Sequence, residues 1–100
     1  MTTLNTKQKK HLRALAHDLK PVVYIGQHGL TDAILKDATR ALDDHELIKI
    51  RFVDYKDEKK ALAEKIAVHT GAALLGITGH LACFYRPSPI EKKQRIALPD

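Results

Sequence analysis

Residues 21–53 read PVVYIGQHGLTDAILKDATRALDDHELIKIRFV, and they set out the architecture of the chain. The run Val22-Val23-Tyr24-Ile25 consists of strong strand formers. Thr31 is a candidate helix N-cap, and the apolar residues after it recur at helical spacing. From Leu47 to Val53, Ile48, Ile50 and Phe52 alternate with Lys49 and Arg51, as expected for a strand with one buried face. The stretch therefore predicts a strand, a helix and a second strand.

The segments on either side add two more helices. Thr6 is a plausible N-cap for a first helix that runs to about Asp18, and Pro21 prevents its continuation. Its apolar stripe comprises Leu12, Leu15, Ala16 and Leu19. Asp57 is the predicted cap of a third helix that runs to about His69.

Two apolar runs close the pattern, Ala72–Ile77 and Leu81–Arg86, and Thr78-Gly79 between them indicates a hairpin. The predicted order is α-β-α-β-α-β-β, an α/β fold. We expect a two-layer sandwich in which a four-stranded mixed sheet carries its helices mainly on one face. The other face would then be partly open to solvent or to a partner.

The composition is that of one small domain, residues 1–100, with a basic tail from 87 to 100 that is a candidate for a flexible segment. The lone Cys83 excludes an intrachain disulfide and a cysteine-rich zinc site. Apolar runs are too short for a membrane helix, and the first twenty residues lack the apolar core of a secretory signal. A cytoplasmic location without a membrane partner is therefore expected.

The charge is the most informative part of the composition. The formal net charge is +5, and residues 1–20 hold five basic residues and one acidic residue. Residues 86–100 hold four basic and two acidic residues, whereas residues 21–50 carry a net negative charge. Positive charge at both ends of the chain predicts a polyanionic partner, with nucleic acid as the first candidate.

The first candidate site is the loop Gly26-Gln27-His28-Gly29 between the first strand and the second helix. Glycines allow close approach of a backbone to a ligand, and amides at the following helix start can bind an anion such as phosphate. The alternative interpretation is a tight turn, because two glycines at this spacing are common.

The first helix carries a second candidate. On a helical wheel Lys9, Lys10, Arg13 and His17 cluster on one flank of the apolar stripe, and Lys20 follows just beyond the helix. Such a flank can follow the phosphates of a nucleic acid. The alternative is an ordinary solvated helix face.

Strand residues provide a third set. Lys49 and Arg51 share the face opposite Ile48 and Ile50, and Arg86 ends the last strand beside Tyr85. Arginine pairs with phosphate and tyrosine stacks on bases. The alternatives are charges that protect a sheet edge and a strand-end aromatic that closes the core.

An enzymatic role has little support. The six histidines form no metal-binding motif, and Ser88, between two prolines, is not placed as a nucleophile. We expect no catalysis, cofactor, metal or small-molecule substrate.

Taken together, several segments resemble the YhbY-like proteins, the stand-alone bacterial form of the CRM (chloroplast RNA splicing and ribosome maturation) domain. The resemblance runs from about Leu4 to Pro99. It rests on the segments Leu12–His17, Leu19–Val23, Gly26–Thr31, His45–Lys49, Thr70-Gly71 and Tyr85–Pro87.

This resemblance implies a domain similar to the C-terminal domain of translation initiation factor three. It also implies a protein that binds RNA, associates with precursors of the large ribosomal subunit and does not catalyse a reaction. Separately, we expect a monomer. The family's Gly-x-x-Gly loop, which is likened to that of KH domains, corresponds to Gly26–Gly29. Many relatives have basic residues where this chain has Gln27 and His80, and His28 and His80 could supply charge below about pH 6.5. The alternative function is a ribosome-associated protein–protein adaptor with little RNA contact.

Overall fold

The computed structural model describes residues 3–89 and 96–99. Its helices and strands follow the predicted order, with one short 3-10 turn, Lys56–Glu58, before the third helix. The elements are α1 (Thr6–Ala16), β1 (Val23–Ile25), α2 (Asp32–His45), β2 (Leu47–Phe52), α3 (Lys59–Thr70), β3 (Ala73–Thr78) and β4 (Leu81–Tyr85).

Two of the three predicted helix starts are wrong by one residue. Asn5, not Thr6, caps α1: its side-chain oxygen accepts from the Gln8 amide at 2.8 Å, and the Gln8 side chain accepts from the Asn5 amide at 3.0 Å. This reciprocal pair satisfies two amide donors at once, which a cap at Thr6 would not achieve here. Asp57 lies inside the 3-10 turn, so Glu58 is the residue that precedes α3. Thr31 caps α2 as predicted, through a 3.2 Å bond from the Ile34 amide.

The sheet is mixed, as predicted, with the strand order β1-β2-β4-β3. β1 runs parallel to β2, while β4 is antiparallel to both β2 and β3. An irregularity in β3 lies between Leu74 and Gly76, so that Leu75 is an extra residue opposite β4. Because β1 and β2 are parallel, both strands finish at the same end of the sheet. The β3–β4 turn lies at this end too.

The main core lies between the sheet and the helices α2 and α3, and we call this side of the sheet the inner face. Ile48, Ile50 and Phe52 are fully or almost fully buried there, which confirms the predicted alternation of β2. Ala38 and Leu42 of α2 and Ala63 and Ile66 of α3 are packed in the same cluster. Burial of these side chains is the principal source of stability for the layer.

The opposite, outer face is only half covered. Leu12 and Ala16 of α1 pack with Leu47, Leu75 and Tyr85 in a second, smaller cluster. The helices are therefore mainly, but not all, on one face. Two residues of the predicted α1 stripe stay largely outside this core: Leu15 is 45% exposed and Leu19 is 40% exposed. The short helix ends at Ala16, before Leu19 can reach the sheet.

A buried carboxylate holds parts of the tail against the domain. Glu46, which has a positive φ of 64°, accepts from the Ser88 amide at 2.7 Å and from the Ile96 amide at 3.0 Å. Ile96 and Leu98 pack against the second cluster. The flexibility predicted for residues 87–100 stays a prediction, because residues 90–95 and 100 lie outside the described residues.

Within residues 3–89 and 96–99, the structure contains no helix that is both long and apolar enough to cross a bilayer.

Candidate nucleic-acid interface

The open half of the outer face is built from two rows of residues that lie side by side across the strands. Gly76, Cys83 and Lys49 form the first row, on β3, β4 and β2. Thr78, Leu81, Arg51 and Tyr24 form the second row, which extends onto β1. Lys49 and Arg51 thus face away from the main core, as the alternation in β2 predicts. This half of the sheet presents both charge and an aromatic ring, since Tyr24 is 54% exposed.

A cavity of about 360 Å³ lies between the first row and α1, and we call it the groove. It is lined by Arg13, Ala16, His17, Lys49, Gly76, Thr78, Leu81, Ala82 and Cys83. The groove therefore collects three basic side chains that the sequence places on two separate elements. The absence of a side chain at Gly76 keeps it open, because a Cβ there would have the Arg13 Nε as a neighbour at 3.9 Å.

Protein carbonyls hold two of these basic groups in place. The Arg13 guanidinium donates from Nε and Nη2 to the Leu75 carbonyl, at 2.9 and 2.7 Å. Lys49 Nζ donates to the His17 carbonyl at 3.3 Å. Both groups keep further donors, because a guanidinium has five N–H groups and an ammonium has three. The groove thus presents positioned, not freely rotating, positive charge.

The thiol in the groove is electrically neutral. Burial raises the pKa of Cys83 to about 11, and the positive charges of Lys49 and Arg13 oppose this shift only in part. The prediction of an inert thiol fits this value, although the side chain is half-buried and not fully buried. Tyr85 is buried in the second cluster, where burial and then Glu46 raise its pKa.

The basic flank of α1 does not act as one surface. Arg13 and His17 line the groove, and Lys10 is exposed. Lys9 lies in a different recess with Leu4, Glu64, Val68 and Leu74, and Lys20 lines a third recess with Leu15, Leu19 and Val22. The helical wheel places the residues of this flank on one side of α1. The elements packed around α1 nevertheless distribute them among different recesses.

The loop Gly26–Gly29 forms a tight turn closed by a 3.0 Å bond from the Gly29 amide to the Gly26 carbonyl. Only Gly29 needs to be glycine for its conformation, with φ of 69°. The Tyr55 ring packs against it, and the Tyr55 hydroxyl donates to the Gln27 carbonyl at 2.9 Å. The side chains of Gln27 and His28 are exposed, and their Nε2 atoms are 3.4 Å apart.

The start of α2, next to this turn, is less suited to phosphate than the spacing predicts. The Thr31 hydroxyl already accepts from the Ile34 amide, and Asp32 adds a negative charge in the first helical turn. Asp32 stabilises the helix dipole and would repel an anion at the same place.

Positive charge accumulates instead around the β3–β4 turn, where Lys59, Lys56 and Arg51 act on His80. The Lys59 ammonium donates to the Gly79 carbonyl, and the Phe52 amide donates to the His80 carbonyl at 2.8 Å. These bonds hold the β3–β4 turn at the end of the sheet where β1 and β2 finish. We call the group formed by Gly26–Gly29, Arg51, Tyr55, Lys56, Lys59, Gly79 and His80 the loop cluster.

The imidazole of His80 reports on the electrostatic potential there. Loss of solvation, followed by the charges of Lys59, Lys56 and Arg51, lowers the pKa of His80 below its ordinary value of 6.5. His80 therefore gains charge only at a pH lower than the expected 6.5, first because of its loss of solvation and then because the neighbouring cations oppose protonation. Lys56 and Lys59 were missed in the sequence, where they look like the solvated start of a helix.

Arg86 takes no part in this surface. Its guanidinium forms an ion pair with Asp43 and donates to the carbonyls of Thr70 at 2.7 Å and Thr39 at 3.2 Å. These partners belong to α2 and α3, so Arg86 joins the helical layer to the end of β4. Tyr85 beside it closes the second cluster, with only 2% of its surface exposed.

No group of three or more potential metal ligands occurs among the described residues.

Comparisons with known proteins place this geometry in a wider group. The family model for the CRS1 / YhbY (CRM) domain matches residues 4–86. A Haemophilus influenzae protein named "RNA-binding protein" is 42% identical over 100 residues, which cover 99% of this chain and 98% of that protein. The Bacillus subtilis protein named "Probable RNA-binding protein YqeI" is 31% identical over 97 residues, covering 96% and 99% of the two chains. The solution structure of SAV1595 from Staphylococcus aureus superimposes with a TM-score of 0.79 at 35% identity, covering 97% and 100%.

Proposed function

The chain belongs to the CRS1/YhbY (CRM) domain family, and from this premise we propose that it binds RNA through the groove and the loop cluster. The observation that supports this most directly is the gathering of Lys59, Lys56 and Arg51 around His80, whose charges add to loss of solvation in lowering the pKa of its imidazole. Clustered positive charge beside a tight backbone turn suits a phosphate backbone. The names of the relatives support RNA as the polyanion.

The role that we propose is assistance in the assembly of the large ribosomal subunit in the cytoplasm, by a monomer and without catalysis. The resemblance to YhbY-like proteins supports this role. The proposed mechanism is neutralisation of phosphates by the loop cluster and by Lys10, with the backbone of Gly26–Gly29 close to the RNA. Neither a cofactor nor a metal is needed for binding of this kind.

Crosslinking in growing cells followed by sequencing of the bound RNA tests the proposal. We expect enrichment of large-subunit ribosomal RNA and its precursors. The variant Arg51→Ala/Lys56→Ala should lose this enrichment, and the matched control Lys36→Ala/Lys65→Ala should keep it, because these two exposed lysines lie on the helical layer. Enrichment of unrelated RNA would contradict the ribosomal role, and no RNA crosslinks would contradict RNA binding itself.

A salt titration separates this proposal from a protein–protein adaptor on the same particle. Release of ions from RNA makes binding to purified pre-ribosomal particles fall steeply with salt. An adaptor that contacts mainly protein should show a shallow dependence, and its binding should survive removal of accessible RNA by ribonuclease.

A further inference from the structure

Resting on the RNA binding proposed above, we infer that the groove holds one unstacked nucleotide of single-stranded RNA, with its base inside and its phosphate at the mouth. The groove measures about 360 Å³. This volume is at the lower end of the roughly 300–1,000 Å³ range of small-ligand pockets. It is therefore matched to a single nucleotide and not to a stacked helix.

The walls of the groove suit the flat faces of a base. Ala16 of α1 lies on one side, and Leu81 and Cys83 of β4 contribute to the sheet side. The Cys83 thiol stays protonated at neutral pH, since its pKa is about 11, and it therefore behaves as a small apolar group. The Thr78 hydroxyl adds one group that can donate or accept a hydrogen bond.

The charges around the groove suit the phosphate of the same nucleotide. Arg13, His17 and Lys49 line it, and none of the described lining residues is acidic. The Leu75 carbonyl already fixes the Arg13 guanidinium, and this bond uses two of its five N–H groups. Binding would therefore cost little side-chain entropy, which favours affinity.

The position of the groove makes it selective for unpaired RNA. It lies between α1 and the strand row that contains Gly76, Cys83 and Lys49. A base inside a duplex is stacked on both faces and paired at its edge, whereas a base in a single strand can be turned outward and stacked on protein. The exposed Tyr24 and Arg51 in the next row offer a surface for a neighbouring nucleotide.

Gly76 provides a way to close the groove without disturbing the fold. Its φ lies outside the left-handed region, and the Arg13 Nε at 3.9 Å is the only neighbour that a Cβ there would meet among the described atoms. Valine is a good strand former, so Gly76→Val should fill the groove and leave β3 intact. Ile77→Val is the matched control, because it alters the same strand on its inner face.

The experiment compares two probes of equal length, a uridine oligonucleotide and its abasic ribose-phosphate backbone, by fluorescence anisotropy at fixed salt. We expect the wild type and Ile77→Val to bind the oligouridine about tenfold more tightly than the abasic strand, because only a base can cover the apolar wall of the groove. Gly76→Val should lose most of this preference, keep its affinity for the abasic strand and melt no lower than the wild type.

Alkylation of Cys83, the single cysteine, by N-ethylmaleimide provides a second measurement on the unmodified protein. Oligouridine should slow the reaction, and the abasic strand at equal saturation should slow it much less. A preference for bases that survives in Gly76→Val, or equal alkylation rates with both bound strands, would overturn the groove proposal. If neither strand binds, it is the proposed function that fails.

Discussion

Arg51 and Arg86 are two basic residues with different roles in this fold. Arg86 is built into the helical layer, where Asp43 and two backbone carbonyls take up its guanidinium. Arg51 is exposed on the open half of the outer face, and its charge is felt by His80 in the loop cluster. The same residue type therefore stabilises the fold in one region and shapes the surface potential in the other.

Formal charge alone therefore does not show where an interface lies. A guanidinium such as that of Arg86, which is ion-paired with a carboxylate and also donates to two carbonyls, has little left to offer a phosphate. An exposed one beside lysines raises the local potential, which attracts a polyanion and depends on salt.

Arg86→Ala should destabilise the fold by about 2 kcal/mol, because it leaves a partly buried carboxylate and two carbonyls without their donor. Arg51→Ala should change the free energy of unfolding by less than about 0.5 kcal/mol, as is usual for exposed residues. Urea denaturation measures both values. Equal destabilisation by the two variants would break the comparison.

The two glycines of the loop should respond to alanine with opposite sign. Gly29→Ala is expected to cost about 1–2 kcal/mol in unfolding free energy, since alanine resists the left-handed backbone conformation. Its Cβ would also lie 3.4 Å from the Tyr55 ring.

Gly26→Ala has open space and no left-handed φ, so it should stabilise by up to about 1 kcal/mol through the unfolded chain. Thermal melts of both variants measure these changes in stability relative to the wild type. A loss of stability in Gly26→Ala equal to that in Gly29→Ala would show that the whole turn, and not Gly29 alone, is conformationally restricted.

Removal of two loop-cluster lysines should change how RNA binding depends on salt. Lys56→Ala/Lys59→Ala is expected to reduce the slope of log affinity against log salt by about 1.4, at roughly 0.7 for each phosphate contact with a single strand. Lys36→Ala/Lys65→Ala removes the same charge elsewhere and should leave the slope nearly unchanged. Identical slopes in both double variants would mean that only net charge matters.

Gln27→Lys adds a positive charge at the exposed tip of the loop. We expect RNA affinity to rise by less than about 1 kcal/mol, because the new ammonium is exposed. Its melting temperature should match that of the wild type. An unchanged affinity would restrict the loop to a structural turn.

The smallest effect concerns the protonation of His80. The pKa of His80 is lower in the folded protein than in the unfolded chain. His80 therefore contributes to stability at a pH above its pKa in the unfolded chain, and this contribution is lost as the pH falls through its pKa in the folded protein. A bound phosphate should raise the pKa of His80, so RNA affinity should increase as the pH drops below 6.5.

An NMR titration of the His80 ring in the free protein, in Lys59→Ala and in the RNA complex measures these values. Lys59→Ala removes one cause of the shift and should raise the pKa of His80 toward 6.5. A pKa that RNA leaves unchanged would place the phosphate away from the β3–β4 turn.

The elements themselves could be predicted from local pattern. The alternation of Ile48, Ile50 and Phe52 is confirmed, the Thr31 cap is confirmed, and the hairpin lies where Thr78-Gly79 indicates it. The errors at Asn5 and Asp57 are errors of boundary. At α1 two adjacent polar residues can cap the helix, and it is the Asn5 side chain that reaches a free amide. At α3 a 3-10 turn that contains Asp57 precedes the helix.

The candidate site was only partly predictable, because its members come from distant parts of the chain. Arg13 and Lys49 were singled out from different elements, but the strand register brings them into one groove. Lys56 and Lys59 gave no sign of a site, since a mixed charge run is typical of any exposed helix start. Gly76 opens the groove, yet it looks like an ordinary hairpin glycine.

Periodicity and composition are local properties, and they were enough to predict the α/β order, the buried faces of α2 and β2 and the positive character of the chain. The tertiary structure alone decided which charges are available. The Arg86 guanidinium is held by a carboxylate and carbonyls on α2 and α3, whereas His80 lies near cations from β2, the 3-10 turn and the start of α3. Coulombic interactions and hydrogen bonds depend on distance in space, and distance in space is set only when the strands pair and the helices pack.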